Sequence, residues 1–334
     1  MKRKAKIQQV LTKGMKKVTS SNGNIGPGMA VMVKYKVKDV FMGGVGYANI
    51  DKQVLITPDT IFDLASVSKH ITVVGILLLK DKGLLKTSDP VSKVIDEFDV
   101  PGVTIEHLIW HTSGLADYTD SEYCAYTITQ IDSGLGDLED EIDTLTLEEH
   151  LLWLLKQPRK PPGKRHSYNN SGYVLLALII ERVSGLSFPQ FYEDNIFSPL
   201  GMTSTTCIEP SNVALTYEKK RKGLQVCHWP TVVHGDGNIF TTLEDFSKWD
   251  RALTEGNLIS QESWDWMCTP GKKAKSYGGG LEIEDNSLSH SGSWAGVQTY
   301  YYIQEEPPVS ILTLSNIEHR YEDSIVDDIL DLFE

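Results

Sequence analysis

The sequence predicts an α+β fold, an α/β/α sandwich in which an antiparallel sheet is flanked by N- and C-terminal helices. Segments with strand-like apolar patterns lie near both ends of the chain, at 28–36, 40–48, 277–283, 297–303 and 309–314. The residues between them, 84–270, carry mostly helical and loop-like patterns. We therefore expect a sheet lobe formed by 1–83 and 271–334, into which 84–270 is inserted as a mainly helical lobe.

The first element is an amphipathic helix. Ile7, Val10, Leu11 and Met15 recur at helical spacing with lysines between them. We expect this helix to pack on the sheet with its lysines in water; the alternative is a helix that lies on a membrane surface. The basic start resembles a signal peptide, but no apolar h-region follows it. The chain as given is therefore expected in the cytoplasm, or in the periplasm or medium if a leader was removed.

The remaining elements follow in order. A strongly apolar helix begins near Ser66 and ends near Lys82-Gly83, where glycine is a stop signal. Further helices are expected at 147–155, 173–183 and 243–253, and Thr242 with Asp245 forms a capping box for the third. A closing helix is expected at about 320–333. No segment approaches 18 uninterrupted apolar residues, so no membrane span is expected.

Composition excludes several classes of function. The net charge of −13 argues against a nucleic-acid partner, because phosphate binding needs clustered Lys and Arg. Gly-rich nucleotide motifs and the Gly-x-Ser-x-Gly elbow are missing from the sequence, and His107 and His111 lack the glutamate of a zinc-protease helix. We therefore expect neither a cofactor nor a metal. The four cysteines are widely spaced, which favours free thiols and leaves one disulfide open.

Charge is distributed unevenly in the middle of the chain. No lysine or arginine occurs from Val94 to Leu155, whereas five acidic residues lie within 137–143. Basic residues then follow between Lys156 and Arg165. This pattern fits a solvated acidic insertion that faces a solvated basic loop. It also fits an acidic loop beside a binding cleft that disfavours anionic substrates.

The segment Ser66-Val67-Ser68-Lys69 carries the chemistry. A helix that starts near Ser66 places Lys69 beside it, one turn further on. A serine hydroxyl is a weak nucleophile until a base takes its proton. A lysine shielded from water can supply that base, because burial disfavours its charged form. The pair alone also fits an N-cap serine followed by a solvated lysine.

More of the same pattern follows downstream. Tyr168-Asn169-Asn170 precedes an apolar helix, and His290-Ser291-Gly292 lies between two strand-like segments. With Ser66 and Lys69, these segments resemble, in order, the motifs of the serine β-lactamase and penicillin-binding-protein superfamily, in the branch of class C β-lactamases, D-aminopeptidases and related esterases. Residues 110–115 and 234–242 resemble two further segments of that family. The resemblance covers roughly residues 25–334, and it implies a β-lactamase/transpeptidase-like fold with its site in the cleft between the lobes.

The resemblance assigns roles residue by residue. Ser66 would be the acylated nucleophile, Lys69 its hydrogen-bonded partner and Tyr168 the acid/base near the leaving group. Whether Lys69 or Tyr168 takes the serine proton stays open. Asn170 would hold Lys69 and the substrate carbonyl. The backbone N–H groups of Ser66 and Ser293, the latter just after Gly292, would form the oxyanion hole.

His290 departs from the penicillin-binding pattern, which has lysine there. A histidine near pH 7 is mostly neutral and cannot hold a substrate carboxylate by charge; the alternative for His290 is a hydrogen-bonded structural role. The sequence thus predicts a serine hydrolase that forms an acyl-enzyme with a small-molecule or peptide substrate. Short-chain esters and D-amino-acid peptides or amides are favoured, β-lactams are left open, and so is the oligomeric state. The competing hypothesis is a catalytically silent binding or regulatory member of the fold.

Overall fold

The computed structural model describes residues 2–19, 26–120, 146–221, 223–227, 233–319 and 322–333. Its strands are β1 (Met29–Tyr35), β2 (Lys38–Val45), β3 (Tyr47–Asn49), β4 (Val54–Leu55), β5 (Phe62–Asp63), β6 (Thr216–Lys220), β7 (Gly223–Cys227), β8 (Phe240–Thr241), β9 (Glu282–Glu284), β10 (Ser287–Trp294), β11 (Val297–Gln304) and β12 (Val309–Ser315). Its helices are α1 (Lys2–Thr19), α2 (Ser68–Asp81), α3 (Ile105–Ile109), α4 (Leu147–Leu155), α5 (Asn170–Ser184), α6 (Phe188–Tyr192), α7 (Ser198–Leu200), α8 (Leu243–Thr254), α9 (Gln261–Met267) and α10 (Glu322–Leu330).

A six-stranded antiparallel sheet organises the fold, with the strand order β2-β1-β12-β11-β10-β9. Its first and last strands in the sequence meet directly, since β1 pairs with β12 along its whole length. The strands therefore come from the two ends of the described chain, and the predicted α+β fold with one antiparallel sheet is confirmed. The division into two lobes, 1–83 with 271–334 and 84–270, stays a prediction.

The sheet is covered on both faces, because side chains alternate along each strand. Val31 and Val33 face one way and pack in a cluster with Ile7 and Ile325 of the terminal helices. Met32 faces the other way and joins the main core, which includes the residues of α2 and α5. Each fully buried apolar side chain of this kind stabilises the fold by about 1.5–3 kcal/mol.

Helix α1 packs as its sequence predicts. Ile7, Leu11 and Met15 are buried, whereas Lys13 and Lys16 are exposed. The apolar stripe of α1 therefore covers the sheet while its lysines stay in water. Within the described residues no single helix has the length and apolar composition to cross a membrane; one pair, 170–184 with 188–200, meets both criteria together but is bent by 72°.

A buried polar chain fixes α2 against the sheet. Lys34 of β1 forms an ion pair with Asp250 (2.8 Å), which accepts a hydrogen bond from the Tyr301 hydroxyl (2.7 Å). The Tyr301 ring stacks on His70 of α2, and His70 Nε2 accepts the indole N–H of Trp249 at 2.8 Å. Burial lowers the pKa of His70 to about 3, so that this imidazole is neutral. These contacts connect the first turn of α2 to strands β1 and β11 and so fix its position relative to the sheet.

The local predictions compare well with the structure. The helices expected at 147–155, 173–183 and 243–253 are present, and Thr242 caps α8 by accepting the Asp245 N–H at 3.1 Å. The other half of the expected capping box is not formed, because Asp245 Oδ2 accepts the Ser204 N–H at 2.7 Å instead. The strand expected at 277–283 is shorter, because Gly280 turns the chain at a φ of +78° and the strand begins only at Glu282. Cys207 and Cys268 are free thiols. Cys124 and the acidic stretch 137–143 lie outside the described residues.

Candidate active site

Ser66 lies in a short 3-10 turn, Ala65–Val67, that joins β5 to α2. The sequence predicted that the helix begins at Ser66; the α-helix itself begins two residues later, at Ser68. Ala65 adopts a φ of +46°, which is unfavourable for a residue with a side chain, and its N–H donates to Asp63 Oδ1 at 2.8 Å. The turn is therefore held in a strained conformation beside the cleft, as is frequent at functional sites.

Lys69 is fully buried beneath Ser66. Its Nζ donates to Ser66 Oγ at 3.0 Å and to the backbone carbonyl of Asp236 at 2.7 Å. The amine also lies 5.1 Å from the ring centre of Tyr168 and 5.5 Å from that of Tyr173. A lysine in hydrogen-bond contact with a serine hydroxyl is positioned to exchange a proton with it.

Tyr168 lies near Lys69, just before α5. Its side chain is 41% exposed, and it lines the same cleft as Ser66. The next residue, Asn169, is the N-cap of α5, and its side chain accepts the Gly172 N–H at 2.7 Å. The cap fixes where α5 begins. It therefore also fixes the backbone position of Tyr168, which directly precedes the cap residue.

The cleft is a pocket of about 240 Å³. It gathers residues that are far apart in the sequence, from the Ser66 turn, the Tyr168 loop, the glycine-rich segment and strand β10. Its lining residues are Asp63, Ala65, Ser66, Tyr118, Thr119, Tyr168, Asn170, Asp236, Gly237, Asn238, Ser293 and Trp294. The predicted nucleophile, acid/base and oxyanion-hole segments thus share one cavity.

Strand β10 passes directly beside the nucleophile at Gly292. A Cβ on Gly292 would meet Thr299 Oγ1, and would lie 2.8 Å from the Leu64 carbonyl and 3.0 Å from the backbone nitrogen of Ser66. This close approach requires glycine. It brings the backbone at Ser293, whose side chain is exposed at the cleft, next to that of Ser66, as an oxyanion hole of two N–H groups needs.

We expect Gly292→Ala to impair both folding and catalysis. Forcing a methyl group into this contact should cost about 1–3 kcal/mol of stability, and displacing one oxyanion donor should lower kcat by about 10²–10³. Gly237→Ala is the matched control, because a Cβ there would lie 3.8 Å from its nearest neighbour in the same cleft. Thermal unfolding and ester hydrolysis measure the two effects. Equal activity of the two variants would contradict the placement of β10 as part of the site.

His290 lies in β10 but does not line the pocket. It is 4% exposed, its Nδ1 is 2.6 Å from the Ser291 carbonyl, and its Nε2 is 2.9 Å from the Tyr277 hydroxyl. Nδ1 therefore carries the proton and Nε2 accepts from Tyr277. Burial, with a smaller effect from Lys69, lowers the pKa of His290 to about 3. The structure thus favours the structural alternative for His290 over direct contact with substrate.

Asn170 lines the cleft, but its side chain does not have the contact that the family resemblance implied. Its Nδ2 donates to Asp117 (3.2 Å) and to Thr119 (3.3 Å), while its backbone N–H donates to Asp117 at 2.9 Å. Asp117 and Thr119 therefore hold the side-chain amide of Asn170 by hydrogen bonds. The contact with Lys69 that was expected of Asn170 comes instead from the Asp236 carbonyl.

Two acidic residues of the cleft were missed by the sequence reasoning. Asp236 accepts the Tyr118 hydroxyl at 2.7 Å, and burial raises its pKa against the opposing effect of Lys69. Burial, with repulsion from Glu209 and Asp236, raises the pKa of Asp63 to about 7. The only signal for Asp236 was its place in the glycine-rich segment 234–242, and Asp63 had only its proximity to Ser66.

Comparison with known proteins identifies the family of this chain. The family model described as Beta-lactamase matches residues 8–333. Penicillin-binding protein 4* of Bacillus subtilis (strain 168) is 29% identical over 310 residues, which are 84% of this chain and 66% of that protein. The chain therefore spans slightly less than two thirds of that relative.

Solved structures of two other proteins have the same fold as this chain. The octameric penicillin-binding protein homologue from Pyrococcus abyssi superposes with a TM-score of 0.82 at 26% identity, over 98% of this chain and 77% of that one. The D-amino acid amidase from Ochrobactrum anthropi SV3 has the same fold, with a TM-score of 0.76 at 20% identity over 100% of this chain and 99% of that one. Because the family match covers nearly the whole sequence, this chain belongs to the Beta-lactamase family.

Proposed function

We propose that this serine hydrolase of the β-lactamase fold forms an acyl-enzyme on Ser66 and cleaves short-chain esters and D-amino-acid amides or peptides in preference to β-lactams. The observation that carries the proposal is the hydrogen bond from Lys69 Nζ to Ser66 Oγ at the base of an open cleft. Similarity in fold to a D-amino acid amidase supports the amide part of this substrate class.

The reaction divides into two acyl transfers. Ser66 Oγ attacks the substrate carbonyl carbon while its proton passes to the network of Lys69 and Tyr168. The carbonyl oxygen becomes an oxyanion held by the N–H groups of Ser66 and Ser293. The bond to the leaving group then breaks, and Tyr168 returns a proton to it. Water releases the acyl group from Ser66 by the same steps in reverse.

The charge of the cleft supports the preference for neutral or cationic substrates. Asp63 and Asp236 line it, and none of its lining residues within the described part of the chain is lysine or arginine. The buried, neutral His290 offers no charge to a substrate carboxylate. Loss of a charge-assisted hydrogen bond of that kind costs about 1.5–3 kcal/mol, or about ten- to a hundredfold in kcat/KM.

The test is a side-by-side measurement of kcat/KM on a short-chain p-nitrophenyl ester, a D-amino-acid p-nitroanilide and a chromogenic cephalosporin. We expect the cephalosporin, which carries a carboxylate, to be the poorest substrate by at least about tenfold. An uncharged ester of the same cephalosporin should recover part of that loss. Higher efficiency on the free cephalosporin than on the other two substrates would make the protein a β-lactamase instead.

A pH series on a further pair of esters tests whether the Asp63 carboxylate binds the substrate. Because the pKa of Asp63 is about 7, its carboxylate becomes charged as the pH rises from 6 to 8. KM for an acylcholine should therefore fall over this range relative to its uncharged 3,3-dimethylbutyl isostere, by about two- to fivefold for an ion-pair energy of about 0.5–1 kcal/mol. Asp63→Asn should remove the difference. Parallel pH profiles of the two esters in the wild type would exclude Asp63 from substrate recognition.

A further inference from the structure

The segment just after α3, residues 111–114, is bonded to the loop that carries Tyr168. The Gly114 carbonyl accepts the Lys160 N–H, the Thr112 carbonyl accepts the Gly163 N–H, and the His111 carbonyl accepts the Ser167 N–H, each at 2.8 Å. The loop before Tyr168 is therefore built against this segment. Residues 111–114, to which the proposed mechanism assigns no role, therefore contact the loop that leads to Tyr168, the predicted acid/base.

His111 makes the contacts closest to Tyr168. Its carbonyl holds the residue before Tyr168, and its side-chain Nδ1 accepts the N–H of the residue after it, Asn169, at 3.0 Å. Its ring packs against that of Tyr168, with ring centres 4.3 Å apart and planes inclined by 35°. One residue thus fixes the backbone on both sides of Tyr168 as well as one face of its ring.

The surroundings of His111 keep its side chain buried and its imidazole neutral. The side chain is 1% exposed, and its ring also packs on Tyr173 and Tyr277, at 5.0 and 4.7 Å between ring centres. Nδ1 is an acceptor, so the proton of the neutral ring is on Nε2. Burial, with the charge of Lys69, holds the pKa of His111 well below its usual value. The backbone is held at a φ of +55°, which few residues with side chains tolerate.

We propose that His111 is the positioning residue of Tyr168, holding the phenol beside Lys69 at the cleft through the Asn169 N–H and the face of its ring. The inference rests on the proposed acid/base role of Tyr168. Misplacement of a catalytic group by about 1 Å can cost about 10²-fold in rate. Because an amide leaving group needs a proton more than a p-nitrophenolate does, loss of His111 should affect amides selectively.

The test is a double-mutant cycle on a D-amino-acid p-nitroanilide and a p-nitrophenyl ester. His111→Gly removes the acceptor and the ring without strain at positive φ, and should lower kcat on the amide by about 10–100-fold with a smaller loss on the ester. In a Tyr168→Phe background the same change should cost less than about twofold, since a positioning residue acts only through its target. His107→Gly is the matched control: its Nδ1 also accepts a backbone N–H, from Thr104 at 3.2 Å, but among the described residues it has neither the ring contact with Tyr168 nor the hydrogen bond with Asn169 that His111 has.

Rescue separates positioning from general stability. His111→Asn keeps an acceptor near Nδ1 and tolerates positive φ, so it should restore most of the amide activity, whereas His111→Gln cannot reach Asn169 in the same way and should not. This comparison decides the question even if His111→Gly fails to fold. Amide turnover of His111→Gly within twofold of the wild type, or additive losses in the cycle, would overturn the proposal. A fully active Tyr168→Phe would instead remove the acid/base role on which it rests, while fluorophosphonate labelling would still report on Ser66.

Discussion

Ser66→Ala is expected to abolish covalent labelling and to lower kcat on esters and amides by about 10⁶-fold, the loss found when a serine protease loses its nucleophile. Ser66 Oγ contacts the buried amine of Lys69 at the base of the cleft, and its replacement by a methyl group leaves no atom there that can be acylated. Treatment with a fluorophosphonate followed by intact-mass analysis should show one adduct on the wild type and none on the variant.

The neighbouring serine supplies the control for this experiment. Ser68 is fully buried, and its Oγ accepts the Ile239 N–H at 3.3 Å. Ser68→Ala should therefore cost some stability, about 1 kcal/mol for one hydrogen bond, while the adduct still forms. If the wild type gives no adduct under forcing conditions, the chain is a binding or regulatory member of the fold.

Lys69→Met is expected to lower the acylation rate by about 10²–10⁴, the usual contribution of a general acid/base. Methionine fills most of the buried space of the lysine stem but cannot exchange a proton with Ser66 or donate to the Asp236 carbonyl. Stopped-flow labelling with the fluorophosphonate measures the step directly. Tyr168→Phe should show a comparable loss on an amide and a smaller one on an activated ester.

A second buried lysine separates the chemical effect from the effect of losing a buried charge. Lys34 is 2% exposed and pairs with Asp250. Lys34→Met should reduce stability by about 3–5 kcal/mol, because Asp250 is left buried without its cation. The fraction that remains folded should be labelled much faster than Lys69→Met, because Lys34 Nζ contacts Asp250 and the Ser247 carbonyl and not Ser66. If Lys69→Met is labelled as fast as Lys34→Met, Lys69 is not part of the base network.

Local features of the site could be predicted from the sequence because they depend on residues close together in the chain. Lys69 lies three positions after Ser66, and a helical turn brings any such pair into contact. The cap at Thr242 likewise bonds within three residues. The family resemblance added Tyr168 and Gly292, whose places beside Ser66 follow from the order of the motifs.

The contact expected of Asn170 could not be derived in this way. The observed partners of its amide, Asp117 and Thr119, were not among those that the resemblance implied, because they depend on where residues 117–119 pass, which no local pattern encodes. The role of His290 was open for the same reason. The hydroxyl of Tyr277, which lies 13 residues earlier in the chain, hydrogen-bonds to Nε2 of His290, the nitrogen that a substrate would otherwise contact.

By itself, then, the sequence determined the fold class, the Ser66–Lys69 pair and the terminal helices that cover the sheet, since alternation and helical spacing fix which side chains share a face. Only the tertiary structure decided that the second partner of Lys69 is the carbonyl of Asp236, 167 residues away, that Asp63 and Asp236 line the cleft, and that His111 contacts Tyr168 and the Asn169 N–H. Burial and long-range contacts set the charge and orientation of such groups, and both arise only when distant segments pack together.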